Sequence, residues 1–129
     1  MRGRVVSAPK APTITQEQGV TVVSLGADYE NLNESGLEAL NGMLLKTAAE
    51  ADPPLLVLDL SSLRFFGSGF IEALFRAWSV LNARPGGRMS ICGLTAYCRE
   101  VVEITHLDQL WRVFDTREEA VRFVREGCA

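Results

Sequence analysis

The segment Leu55-Leu56-Val57-Leu58-Asp59-Leu60-Ser61-Ser62-Leu63-Arg64-Phe65-Phe66-Gly67-Ser68-Gly69-Phe70, continued as IEALFRAWSVL to Leu81, decides the fold. Its first six residues are an almost unbroken apolar run after Pro53-Pro54, the pattern of a strand covered on both faces. Beyond the glycines, Ile71, Leu74, Phe75, Trp78 and Leu81 recur at three- and four-residue steps, with Glu72, Arg76 and Ser79 left over. That spacing predicts an amphipathic helix with the first set inward. Between strand and helix lies Phe66-Gly67-Ser68-Gly69-Phe70, a turn with a single hydroxyl where the helix begins.

Outward from this block, the same signals repeat. Upstream, Thr13 to Gln16 and Val20 to Leu25 are β-branched runs separated by Glu17-Gln18-Gly19, which predicts an antiparallel hairpin. Leu37, Leu40, Leu44 and Ala48 mark a helical face that starts between Asn31 and Ser35, with Ser35 and Glu38 or Asn31 and Glu34 as rival caps, and ends before Asp52. Downstream, Pro85-Gly86-Gly87 separates the second helix from a strand over Met89 to Leu94. Thr95 can cap a third helix that sends Cys98, Val101, Val102 and Ile104 inward and stops near His106, a residue able to take a left-handed turn. Leu110 to Phe114 reads as a last strand, and Thr116 with Glu119 forms a capping box before a fourth helix bearing Ala120, Val121 and Val124. The order predicts an α/β fold: a mixed sheet with an N-terminal antiparallel hairpin, later parallel strands and about four helices.

Composition narrows the function. A chain of 129 residues that is 47% hydrophobic suits one domain at residues 13–129, behind a loose N-terminal arm at residues 1–12. The net charge of -3 and the lack of a basic run argue against nucleic acid and anionic membranes, leaving protein as the expected partner. With no spanning apolar run and no signal-like start, a cytoplasmic location is expected. Cys92, Cys98 and Cys128 show no C-x-x-C spacing, so neither a disulfide set nor a zinc site is expected. Nucleotide-loop motifs are also missing, and no cofactor is expected. A Ser68, His106, Asp59 triad can be written, but no G-x-S-x-G elbow frames the serine. Catalysis is therefore not expected.

The pattern LLVLDLSSLRFFGSGFIEALFRAW, followed by RMSICGLTAYCREVVEITHLDQLWRVFDTREEAVRFV, resembles the STAS domain family, whose bacterial members include anti-sigma-factor antagonists. The resemblance runs from about Thr13 to the C-terminus. It implies a regulatory switch that binds a serine kinase acting as an anti-sigma factor, is released when one serine is phosphorylated, and is restored by a phosphatase. The acceptor position falls on Ser68. Gly67, Ser68, Gly69, Phe70, Glu72 and Arg76 are the expected partner-binding residues; the place of Phe70 off the Ile71 and Leu74 stripe leaves two readings open for it, a core residue or an exposed aromatic anchor. Switch-type members commonly carry Asp before the acceptor, where this chain has Gly67, and often Ser then Gly after it, where this chain has Gly69 then Phe70. That departure keeps a second expectation open: a scaffold or transporter-associated subunit that is not phosphorylated. Without the resemblance, Ser68 reads as a helix N-cap, and Glu72 with Arg76 as a solvated one-turn ion pair.

Overall fold

The structure is a computed structural model and describes residues 13–25, 34–64 and 67–126. In chain order the elements are β1 (Thr13–Glu17), β2 (Val20–Ser24), α1 (Glu34–Glu50), β3 (Leu55–Asp59), α2 (Ser68–Asn82), β4 (Arg88–Cys92), α3 (Ala96–Ile104), a 3-10 turn at Leu107–Gln109, β5 (Arg112–Phe114) and α4 (Arg117–Glu126). The sheet order is β1-β2-β3-β4-β5, antiparallel only between β1 and β2. This is the expected α/β architecture.

All five residues of β3 are buried, as its apolar run requires of a strand at the centre of five. Pairing places Leu56 beside Thr21 and Met89, and Asp59 beside Ser24 and Cys92. Alternation then builds two cores. Val23, Leu56, Leu58 and Ile91 meet α1, α2 and α3 on one face, whereas Val20, Val22, Leu55 and Val57 meet Ala120, Val121 and Val124 of α4 on the other. Each fully buried aliphatic side chain contributes roughly 1.5–3 kcal/mol, so these layers outweigh every cap described below.

The hairpin turns through Gln18 and Gly19, both at positive φ, the geometry that matches strand twist. Several boundaries differ from the expectation for identifiable reasons. The β4 strand stops at Cys92 because Gly93, at φ 77°, turns the chain. The β5 strand begins only at Arg112, since the Trp111 amide donates back to Leu107 O at 2.9 Å and closes the preceding turn. Ser35 lies inside α1 and so cannot be its cap. The rival, Asn31, lies outside the described residues, as do residues 1–12, Phe65, Phe66 and Cys128. Ile104, expected inward, is 69% exposed; the buried line of α3 is Cys98 and Val102.

Thr95 does cap α3, its hydroxyl accepting from the Cys98 amide at 3.3 Å. The capping box of α4 is complete: the Thr116 amide donates to Glu119 Oε1 at 3.3 Å and the Glu119 amide to Thr116 Oγ1 at 3.2 Å. His106 occupies the left-handed region at φ 62°, closing α3 as anticipated.

Candidate functional site

The serine-bearing corner is held from below and open above. At the end of β3, Leu60 donates to Cys92 O at 3.0 Å, and the Ser61 amide donates to Asp59 Oδ1 at 3.0 Å. Gly93 lets the chain pass against Ser61: a Cβ added there would lie 2.7 Å from Ser61 Cβ. Further along, Arg64 O accepts from Thr95 Oγ1 at 3.2 Å and from Cys98 Sγ at 3.4 Å. The loop is thus pinned to β4 and α3 before it reaches the glycines.

At Gly67 the restraint ends. Gly67 is the N-cap of α2 in extended backbone and supplies no side-chain bond, so Ser68 is the first helical residue and not the cap. Its side chain is exposed, and among the described residues no group hydrogen-bonds its hydroxyl. Gly69 packs against α1, where an added Cβ would meet Leu37 Cδ1 at 2.9 Å. Glu72 and Arg76 stand exposed on the next turn in the expected ion pair at 2.9 Å. The corner therefore presents a free hydroxyl at the positive end of a 15-residue helix.

Phe70 is a correction. At 2% exposure it belongs to the core and cannot serve as an exposed anchor. The buried line of α2 is Phe70, Ala73, Leu74, Ala77 and Leu81, so Phe75, expected inward, is instead 42% exposed and rests against Trp78 with ring centroids 5.6 Å apart. The two phenylalanines have exchanged roles. Periodicity weighted the large residues of α2, whereas alanines 73 and 77 define its inner face by permitting close approach.

The polar cluster of the sheet lies elsewhere and involves a residue that sequence patterning does not single out. Arg117, in the first turn of α4, donates from Nε to Asp59 Oδ2 at 2.9 Å, from Nη1 to Glu17 Oε2 at 2.6 Å and from Nη2 to Ser24 Oγ at 2.9 Å. Burial pushes the Asp59 carboxyl up, but hydrogen bonds from Ser61 and Arg117 with the guanidinium charge outweigh it and hold its pKa below the ordinary value. Bonds to Asp59 and Glu17 in turn raise that of Arg117. Burial first, and then the Asp59 charge, push the Cys92 thiol to about 12, so it stays protonated and unreactive. Asp59 is thus a structural anion. No hydrogen bond joins it to Ser68 or His106 among the described residues, and the triad does not assemble. Among those residues, no group of three or more His, Cys, Asp or Glu side chains is placed to hold a metal, and no helix is long and apolar enough to cross a membrane.

A protein-family model matches most of the chain. The chain belongs to the STAS domain family, whose model covers residues 11–120. Among its relatives, the anti-sigma-F factor antagonist RsfB of Mycobacterium tuberculosis is 27% identical over 124 residues, spanning 95% of this chain and 97% of that protein. A STAS domain protein from Planctomyces limnophilus, described as an anti-sigma-factor antagonist, superposes with a TM-score of 0.79 at 33% identity, over 88% of this chain and 97% of that one. The phosphorylated form of SpoIIAA from Bacillus shares the fold, with a TM-score of 0.63 at 20% identity over 89% of this chain and the whole of that one.

Proposed function

We propose that this chain is an anti-sigma-factor antagonist working by partner switching. It binds a serine kinase that is itself the anti-sigma factor, through the surface carrying Gly67, Ser68, Gly69, Glu72 and Arg76, and Ser68 is the residue that the kinase modifies. Binding, not catalysis, is its own contribution, and it acts in the cytoplasm, where kinase and ATP are found. The observation that carries this reading is the Ser68 hydroxyl, exposed and, among the described residues, without a hydrogen bond at the first position of α2. The names of the relatives that the chain resembles point the same way.

The chemistry follows from that position. The Ser68 oxygen attacks the γ-phosphorus of ATP in the kinase site, its proton passes to a base of the kinase, and ADP departs. The product places roughly 1.5 to 2 negative charges at a helix N-terminus. The dipole favours an anion there by about 0.3–1 kcal/mol, so the domain itself tolerates the group. A partner packed over the corner does not, because a phosphate enclosed without cations is opposed by desolvation, and Glu72 adds repulsion one turn on. A penalty of only about 2.8 kcal/mol is a hundredfold in affinity. Release follows, and a phosphatase resets the switch.

To test this, the protein is incubated with ATP and its cognate kinase, and the phosphate is mapped by mass spectrometry. Modification at Ser68 and a roughly hundredfold weaker complex with Ser68→Glu are expected. Phosphate on another residue, or unchanged affinity, defeats the reading. One observation favours a second reading, a scaffold or transporter-associated subunit that is never phosphorylated: Gly67 supplies no carboxylate beside the hydroxyl. Stable complex formation with Ser68 permanently unmodified, and a transporter gene alongside, would select it.

A further inference from the structure

The loop that carries Ser68 is fastened to the chain beyond β4 at two places. Ser61 lies against Gly93, and three residues further on Arg64 O accepts two side-chain bonds from the start of α3, from Thr95 Oγ1 at 3.2 Å and from Cys98 Sγ at 3.4 Å. Beyond Arg64, no hydrogen bond is made among the described residues until Gly67 O accepts from the Ile71 amide at 3.1 Å, and that bond belongs to α2 itself. On the far side, Gly69 rests against Leu37 of α1. Ser68 thus lies in a short span between two fixed points, and the upstream one is a single carbonyl oxygen. Thr95 does two separable things there. Its hydroxyl oxygen accepts from the Cys98 amide at 3.3 Å, which caps α3, while its hydrogen goes to Arg64 O. Capping needs only an acceptor, so the donated bond serves the loop and not the helix.

We propose that Thr95, supported by Cys98, is a positioning residue for phosphoryl transfer to Ser68; this rests on the function proposed above. By holding Arg64 O, the pair limits how far the Ser68 oxygen departs from the line of attack on the γ-phosphorus. Reacting atoms must come within about 3–3.5 Å in the right direction, and a misplacement of about 1 Å costs up to roughly a hundredfold in rate. The corner needs an outside tie because it supplies none of its own. Gly67 has no side chain to cap α2, and a Cβ added there would meet nothing within 4 Å, so neither bonding nor packing steadies that residue. Glu72 and Arg76 sit on α2 itself and keep their ion pair whatever the loop does. Loosening the tie therefore slows transfer within the complex and leaves the encounter with the kinase nearly unchanged.

The test is single-turnover phosphorylation of the full chain by its cognate kinase at saturating ATP, for the wild type, Thr95→Asp, Thr95→Ser and Cys98→Ala. An ionised aspartate still accepts from the Cys98 amide and caps α3 but has no hydrogen for Arg64 O, whereas serine keeps both bonds. The maximal rate should fall about tenfold or more in Thr95→Asp and several-fold in Cys98→Ala, and stay within about twofold of the wild type in Thr95→Ser. The concentration of the chain giving half that rate should move by less than about threefold throughout. Amide hydrogen exchange at Gly67 and Ser68 should quicken in Thr95→Asp. Thermal unfolding identifies a variant that does not fold; should Thr95→Asp fail, Cys98→Ala decides. If Thr95→Asp folds and is phosphorylated like the wild type, or its exchange is unchanged, the hydroxyl is only a cap and the inference falls while the proposed function stands. A shifted half-saturation with an unchanged maximal rate would put Thr95 on the partner surface and overturn the inference as well. Wild type that takes no phosphate on Ser68 brings down the proposed function and this inference with it.

Discussion

Two helix N-termini in this molecule are built in opposite ways. The start of α4 is saturated: a reciprocal capping box closes its first turn, and Arg117 ties it to Asp59, Glu17 and Ser24. The start of α2 is bare: its cap is a glycine without a side-chain bond, and among the described residues nothing hydrogen-bonds the hydroxyl of the next residue. Both helices bury an apolar line on the sheet, so the difference is not one of packing. It marks where polar groups hold the fold together and where one is left unused by the fold.

The contrast can be broken most forcefully at Arg117. Arg117→Met should destabilise by about 2–3 kcal/mol in chemical denaturation, because Asp59, 9% exposed, loses its cation. A loss below about 0.5 kcal/mol would show the cluster to be decoration. The same cluster sets an acid limit. Since folding lowers the Asp59 pKa, its contribution is full above the unfolded value near 3.8 and fades as pH drops through the lower folded value. Stability of the wild type should therefore fall in that acid range, and Asp59→Asn should flatten the profile there. Thr116→Ala should cost about 1 kcal/mol by losing the α4 cap. Gly67→Asp sharpens the comparison from the other side. An added Cβ meets nothing within 4 Å, so a carboxylate there should cap α2 and raise stability by a few tenths of a kcal/mol, read as an upward shift of Tm. Smallest of all, Ser68→Ala should leave stability within about 0.5 kcal/mol of the wild type while removing the proposed phosphate acceptor. A loss near that of Thr116→Ala would mean that the hydroxyl serves the helix after all.

The same division explains what could be read from residues alone. Thr116 with Glu119, Thr95 with Cys98, and Gln18-Gly19 act over three residues or fewer, so spacing reveals them. The central strand was equally legible, because burial on both faces demands an unbroken apolar run. The Arg117 cluster was not: its partners Asp59 and Glu17 lie 58 and 100 positions away and meet only once the sheet has formed. The inner face of α2 was misjudged at Phe70 and Phe75 because small residues decide which side of a helix can approach its neighbours. The position of Ser68 was visible, but its failure to cap was not, since a shift of one residue in the helix start converts a cap into an unused group.

Gly93 is not among the residues proposed to bind the partner, yet it sets how closely β4 and Ser61 approach below the serine corner. At φ 77° and with Ser61 against it, the position has neither the backbone latitude nor the space for a methyl group. An alanine there would force Ser61 away from Gly93. Such a lesion would weaken the proposed partner contact while leaving every residue proposed for it unchanged.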